Sequence, residues 1–430
     1  MTIRGGIVVT GTEVLTGIIS DANGPWLSER MRAHGVEVSH LIVVGDRRED
    51  LRGALEFLAA QGTELIVTSG GLGPTADDLT AEVVADFAGV ESSLDEALER
   101  RIWTILERLA RGRRGFDPEA LRAGNRKQAL VPAGATVLEP VGTAPGLVLA
   151  GEAGRPTVVV LPGPPRELQP MWEEAVATEA MRAVLDLAEP LERRMLRLYG
   201  IPESELARSL REMEADGLAL DGLEITTCLR RGEIEIATLM RPGAVEAYER
   251  FAAEVGRRHG DLVFSTDGAT IDELVTRLLE GRTVATAESC TGGLLAGRLT
   301  DRPGSSAYVL GGIVAYANEA KTRLVGVPAE LIARHGAVSP EVARALAAGA
   351  ISAFSADLGI GVTGVAGPGG GTEVKPVGTV CLSVAGRGGL GMDRTLLLPG
   401  DRAMIRQRTT TVAMQMLRRV LEGHTDLPGR

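Results

Sequence analysis

The segment TAESCTGG places Ser289 at the end of an expected strand, directly before a glycine turn and a helix. Backbone N–H groups at a helix N-terminus lack intrahelical partners, so those of Cys290, Thr291 and Gly292 are candidates to hold an oxyanion. A serine at such a turn suits a nucleophile and suits a helix cap equally. Cys290 is intrinsically the stronger nucleophile, and a cysteine in that role wants a histidine, for which His335 is the candidate. Tyr316 and, five residues later, Lys321 follow in IVAYANEAKTRL. Asn318 reads as an N-cap, which puts Lys321 at the third helical position, where the positive end of the helix lowers an amine's pKa. A neutral lysine is the base of Ser-Lys acyl-transfer chemistry; the alternative is a surface lysine on an exposed turn.

Two further segments carry anion chemistry. VTGVAGPGGGTEVKPVG supplies Thr363 and Gly364 and then a loop whose glycines let backbone approach a ligand, without the GK[ST] of a Walker A loop. In PGDRAMIRQR, Asp401 caps the last helix, and Arg402 and Arg406 stand one turn apart on one face, suited to a phosphate or to solvent. Near the start of the chain, GTEVLTGIISDAN contributes Glu13 and Asn23. GGLGPTADDLT contributes Gly70, Gly71 and Gly73 in a turn, Thr75 as a cap, and Asp77 and Asp78 at a helix start. Adjacent carboxylates beside a glycine turn suit a hard divalent cation that bridges phosphates, or simply complement a helix dipole. Thr143, in VGTAPG, and Gly163, in LPGPPRE, occupy further polar turns of the kind that line the crevice of an open α/β sheet.

These residues need scaffolds. Over residues 1–172, short β-rich runs (GGIVVTG, VEVSHLIVVG, ELIVTSGG, TVVVLPG) alternate with the helical stretches NGPWLSERMRAHG, REDLRGALEFLAAQG and SLDEALERRIWTILERLARGRRG. This is the pattern of an open parallel α/β sheet covered by helices. Residues 173–265 read β-α-β-β-α, similar to a small KH-like α+β module but without the GxxG clamp of RNA binders, which favours a spacer or dimerisation role. Residues 266–430 return to α/β, with strands VATAES, GGIVAYA, LGIGVTG and GTVCLSVAG.

Composition limits the rest. A chain of 430 residues holds two or three domains, and a net charge of −11 disfavours direct contact with nucleic-acid phosphates. Three scattered cysteines without a CxxC fit neither a disulfide framework nor a zinc site. No signal-peptide pattern or long apolar span is visible, so a cytoplasmic location and no membrane partner are expected. Of the 46 basic residues only Lys127, Lys321 and Lys375 are lysines, which draws attention to positions where an amine able to lose its proton is retained.

AESCTGG, VAYxNxxK, HGAVS, VTGVAGPGGGxxxKPVG and GDRxxxR, ordered across residues 270–421, resemble the CinA C-terminal family of nicotinamide mononucleotide amidohydrolases. The resemblance implies release of ammonia and nicotinate mononucleotide without a cofactor. On matching positions Ser289 is then the nucleophile, Lys321 the base, Tyr316 its partner in proton transfer, and Thr363 and Arg402 substrate contacts. GxExLxGxxxDxN, GGLGPTxDDxT, NRKQA, GTAPG and PGPPxE, across residues 5–173, resemble the CinA N-terminal domain, itself similar to the molybdopterin-binding fold. That resemblance implies a divalent metal, held by Glu13, Asp77 and Asp78, and hydrolysis of ADP-ribose to AMP and ribose 5-phosphate. Ala22 departs from the pattern, where Thr or Ser is commoner, and removes one hydroxyl ligand. The expected protein is a bifunctional pyridine-nucleotide salvage hydrolase acting on small nucleotides, and the family resemblance implies a homodimer. Its rivals are a molybdenum-cofactor binding or biosynthetic protein and a non-catalytic competence or DNA-damage accessory.

Overall fold

The computed structural model describes residues 3–110, 118–152 and 154–428. Two compact units divide the chain, Met1–Glu192 and Arg193–Arg430. In the first, the strands are β1 (Ile3–Thr10), β2 (Val36–Val44), β3 (Leu65–Ser69), the short β4 (Ser92–Leu94) and β5 (Leu130–Pro132), β6 (Thr136–Leu138), β7 (Gly146–Leu149) and β8 (Thr157–Leu161). Six of them form one sheet in the order β2-β1-β3-β8-β7-β6, while β4 and β5 pair separately. The centre is parallel, and β3 and β8 are buried at every residue, as unbroken apolar runs covered by helices on both faces require. The edge departs from the all-parallel expectation, because β7 pairs antiparallel with both of its neighbours, β8 and β6. β6 and β7 are three and four residues long, too short for a periodic signal.

Residues 111–115 of the third expected helix lie outside the described residues. The expected boundary at 172/173 falls inside the helix Pro165–Val176, whose Met171, Trp172 and Ala175 join Met181 in the core of the first unit.

The second unit begins with β9 (Glu192–Tyr199), the helix Glu203–Ala215, β10 (Leu223–Arg230), β11 (Glu233–Met240), the helix Val245–His259 and β12 (Val263–Ser265). This keeps the β-α-β-β-α order and adds one strand, in a sheet ordered β10-β11-β9-β12. The remaining sheet, β14-β13-β15-β16-β17, uses β13 (Val284–Glu288), β14 (Val309–Val314), β15 (Leu358–Gly364), β16 (Thr379–Gly386) and β17 (Gly391–Leu397). Its three leading strands are parallel neighbours, so residues that follow them in the chain emerge side by side at one edge.

The last helix, Arg402–Leu421, is capped by Asp401, whose Oδ1 accepts the Met404 N–H at 2.8 Å. Its C-terminal half is buried on all sides and ties into the preceding module: Gln415 Nε2 donates to the buried Glu233 at 2.6 Å, and the Arg418 guanidinium stacks on Phe264. Among the described residues no helix is long and apolar enough to cross a membrane.

Candidate active sites

In the second unit, Ser289 follows β13, Tyr316 and Lys321 follow β14, and Thr363 and Gly364 close β15. Ladder bonds hold the strand ends together: Ser289 N–H donates to Val362 O at 2.9 Å, and Ala315 N–H to Glu288 O at 2.8 Å. Parallel register therefore gathers residues separated by up to seventy-five positions, which is how open sheets build sites at their carboxyl ends.

The turn after β13 is organised by Glu288, a residue the motif reading passed over. Its carboxylate is 1% exposed and accepts the N–H groups of Gly293 (3.0 Å), Leu295 (3.1 Å) and Ala296 (2.8 Å), together with the Thr286 hydroxyl (3.2 Å). An acidic side chain thus caps the helix Leu294–Thr300, and Ser289 is not its cap. From the far side Arg406 donates to the carbonyls of Cys290 (3.1 Å) and Thr291 (2.8 Å). The residue expected to meet a phosphate here braces the turn. Gly292, at φ +60, lies where a Cβ would come within 3.3 Å of that guanidinium.

Of the three expected oxyanion donors, the Gly292 N–H is spent on Ser289 O at 3.1 Å. Those of Cys290 and Thr291 face the Cys290 sulfur, a weak acceptor. Cys290 itself is 5% exposed, and burial pushes its thiol up to about 12, so it is not a thiolate at neutral pH. His335 is turned elsewhere, with Nδ1 3.7 Å from Glu341.

Lys321 is the most constrained member. Asn318 is the first helical residue and not the cap; Ala317 takes the cap position without a side-chain bond, so Lys321 lies one position deeper than expected. The amine is 1% exposed and donates to Tyr316 O at 2.8 Å. Burial lowers its pKa, while the neighbouring Cys290 sulfur and Glu319 pull the other way. A helix dipole is worth only ~0.3–1 kcal/mol and fades within one turn, whereas burial shifts a lysine by up to ~3–5 units, so burial decides. The Tyr316 hydroxyl is exposed and accepts from Arg402 Nη2 at 3.1 Å, and Arg402 Nη1 reaches Gly367 O at 2.8 Å. Arg402 thereby joins the glycine loop to the tyrosine. Thr363 Oγ1 donates to Ala337 O at 2.7 Å, and a Cβ at Gly364 would lie 3.1 Å from the Cys290 sulfur.

In the first unit a cleft of about 380 Å³ is lined by Glu13, Gly70, Gly71, Gly73, Asp77, Asp78 and Thr143, all expected, and by Asp46, Gln128 and Glu167, which were not. Gly71 holds φ +65, and a Cβ there would overlap the Thr80 hydroxyl. Thr75 does not cap a helix. The helix begins at Thr80, and the Thr75 hydroxyl instead engages both Asp77 and Asp78 within the preceding turn. That bond holds the Asp77 carboxyl below its usual range, and burial raises Glu167. Asn23 is not among the lining residues; its amide donates to Ser69 Oγ (2.8 Å) and Gly163 O (2.6 Å), bracing the ends of β3 and β8.

The expected three-carboxylate set is not assembled: Glu13 lines the cleft, but no cluster of three or more metal-ligating side chains exists among the described residues. Asp77 and Asp78 still fit a hard cation of the magnesium type, which takes one or two carboxylates and fills its other positions with water and phosphate oxygens.

All three lysines donate to a backbone carbonyl: Lys321 to Tyr316, Lys375 to His335 (2.8 Å) and Lys127 to Thr75. Each ties down a loop beside a candidate site.

Residues 269–421 match the CinA C-terminal domain family, and residues 6–182 match the family described as "Probable molybdopterin binding domain". A CinA-like protein of Mycobacterium sp. (strain MCS) is 58% identical, covering 98% of this chain and 100% of that protein. One from Mycobacterium tuberculosis (strain ATCC 25177 / H37Ra) is 54% identical over 99% and 98%. Among solved structures, the competence/damage inducible protein CihA of Agrobacterium tumefaciens is 42% identical, covering 35% of this chain and 94% of that one, with a TM-score of 0.34.

Proposed function

The chain belongs to the CinA-like family, with a molybdopterin-binding-like domain in its first part, and from that premise we propose a hydrolase with two sites. The C-terminal site hydrolyses the carboxamide of nicotinamide mononucleotide to nicotinate mononucleotide and ammonia. The observation that carries this reading is Lys321: an amine sealed from solvent, lowered by burial and next to the turn that bears Ser289. A lysine that loses its proton readily is what a serine nucleophile requires.

Lys321 takes the Ser289 hydroxyl proton as Oγ attacks the carboxamide carbon. The oxyanion that forms draws on the Cys290 and Thr291 N–H groups, which have only sulfur to leave. Collapse breaks the C–N bond, and the proton held by Lys321 departs with the nitrogen as ammonia. Water, deprotonated by the same amine, attacks the acyl-Ser289 ester and releases the acid. Thr363, Gly364 and Arg402 border this centre and supply contacts for the substrate.

The N-terminal cleft hydrolyses ADP-ribose to AMP and ribose 5-phosphate. Asp77 and Asp78 would hold a divalent cation, which would supply neutralisation of the pyrophosphate charge. Thr75 orients both carboxylates and lowers the Asp77 carboxyl, and the Gly70–Gly73 turn admits the phosphates close to backbone.

Incubating the purified chain with both substrates, with and without EDTA, tests the reading. Ammonia release unaffected by EDTA and AMP formation abolished by it are the expected products. Failure to form nicotinate mononucleotide would refute the first assignment.

A further inference from the structure

β10 is an outer strand of the four-stranded sheet in the second unit. All eight of its residues pair with β11 without a bulge, and it contains neither proline nor glycine. A straight edge of that length leaves a row of backbone donors and acceptors on its free side, a template for another strand. Proteins blunt such edges with prolines, bulges, very short strands or repelling charges. The charges β10 carries are Glu224 near one end and Arg230 at the other, of opposite sign.

A two-fold axis normal to the sheet lays an edge strand antiparallel to its own copy. Centring that axis on Thr227 sets Glu224 opposite the partner's Arg230, Ile225 opposite the partner's Leu229, and Thr226 opposite the partner's Cys228, each pair occurring twice. The faces agree: the charged pair lies on the solvent face, and Ile225 and Leu229 lie on the face that packs on the core of the module. Every other centre separates Glu224 from Arg230, and a slip of one residue sets solvent-face against core-face positions. Both charges are available. Arg230 is 68% exposed and lies 3.7 Å from Glu235, whose other oxygen is held by the buried Arg197. Glu224 is exposed and has no ion pair among the described residues.

We propose that two copies of this chain pair through β10, antiparallel about Thr227, joining two four-stranded sheets into one of eight. Backbone hydrogen bonds close the edge, two Glu224–Arg230 contacts fix the register, and Leu229, 48% exposed in the single chain, is covered by the partner's Ile225. This decides between the spacer and dimerisation roles of the module, and it stands whatever either site hydrolyses.

Sedimentation equilibrium of the full chain tests it, and the parent is expected to dimerise. Glu224→Arg and Arg230→Glu each set like charges opposite one another at two places and are expected to weaken the dimer at least about tenfold. The double variant is expected to restore it to within about threefold of the parent. In a Cys228→Ala background, Thr227→Cys sets two thiols directly opposite, ~4.5–5.5 Å apart at Cα, within disulfide reach, so mild oxidation is expected to link the copies. Thr226→Cys in the same background sets them on a diagonal ~7–8 Å apart and is expected not to link them. A monomeric parent, or a dimer indifferent to both single charge variants, overturns β10 as the interface. Weakening without recovery in the double variant, or no linkage through Thr227→Cys, overturns the register.

Discussion

The Glu288 carboxylate accepts the Ala296 N–H at 2.8 Å, so the residue that precedes Ser289 is also the anchor of the helix that follows it. The position of Ser289 and the integrity of the helix Leu294–Thr300 are therefore one property. Glu288→Gln replaces an acceptor with an NH2 group facing backbone donors. Hydrogen bonds to charged groups contribute ~1.5–3 kcal/mol each, and the variant is expected to lose about that much stability. Ammonia release should fall at least about tenfold, with melting temperature and rate measured on the same samples. A variant that melts and turns over like the parent would remove Glu288 from the site.

Ser289 and Cys290 separate cleanly by mutation. Ser289→Ala should abolish ammonia release, whereas Cys290→Ala should retain most of it, because a thiol near 12 contributes no nucleophile. Lys321→Met, of similar volume, should cost about 10²–10⁴ in rate, the range of a general base. Near-full activity in the methionine variant would dismiss the Ser-Lys mechanism.

The same lysine fixes a pH dependence. Its pKa in the folded chain is lowered by burial, and in the proposed Ser-Lys mechanism the neutral amine is the active form. The rate should rise with pH along a limb centred below the ordinary lysine value of ~10.4. The folded state binds fewer protons at this site than the unfolded state, so stability rises with pH up to the unfolded pKa and is lost as pH falls through the folded one. A limb centred at or above the ordinary value would contradict a buried base.

Glu233 has the opposite sign. Burial outweighs the Gln415 hydrogen bond and the nearby Arg298 and Arg197, raising its carboxyl to about 7. A raised folded pKa gives stability that is whole below the unfolded value and lost as pH rises through about 7. Glu233→Gln keeps an oxygen for Gln415 and carries no charge. It should melt above the parent at alkaline pH, by up to ~3 kcal/mol, and match it in mild acid. Parallel melting curves across that range would show that Glu233 does not titrate there.

Asp77→Asn and Asp78→Asn should each cut metal-dependent AMP formation by about 10² or more and leave ammonia release within about twofold. Product chromatography of both reactions on one preparation checks this, and undiminished AMP formation in both variants would rule out the metal assignment.

The legible parts of the chain were those where one local signal decides. β3, β8 and β15 are continuous apolar runs, and Asp401 announces its helix by type and position. β6, β7 and β17 escaped because pairing, not composition, makes them strands. Around Ser289 and Lys321 the residue types were readable, but their constraints were not. Sealing of the Lys321 amine and the grip of Arg406 on the turn come from chain segments far away in sequence. Glu288 was overlooked for a related reason: a carboxylate between an apolar strand and a glycine turn reads as a strand end until its donors are located. Asn318 and Thr75 show the limit of capping rules, since both have the right type and each is used differently.

The scarcity of lysine, with every ε-amine tied to a carbonyl, makes acylating reagents unusually informative on this chain. Lys321 is shielded, whereas Lys127 and Lys375 are partly accessible and hold the Thr75 turn and the His335 carbonyl. Labelling at either one severs a loop tether, and protection of either by a bound nucleotide maps occupancy to a particular half of the chain. Peptide mass mapping of a brief acetylation thus becomes a two-channel occupancy assay, with very few competing amines to deconvolute.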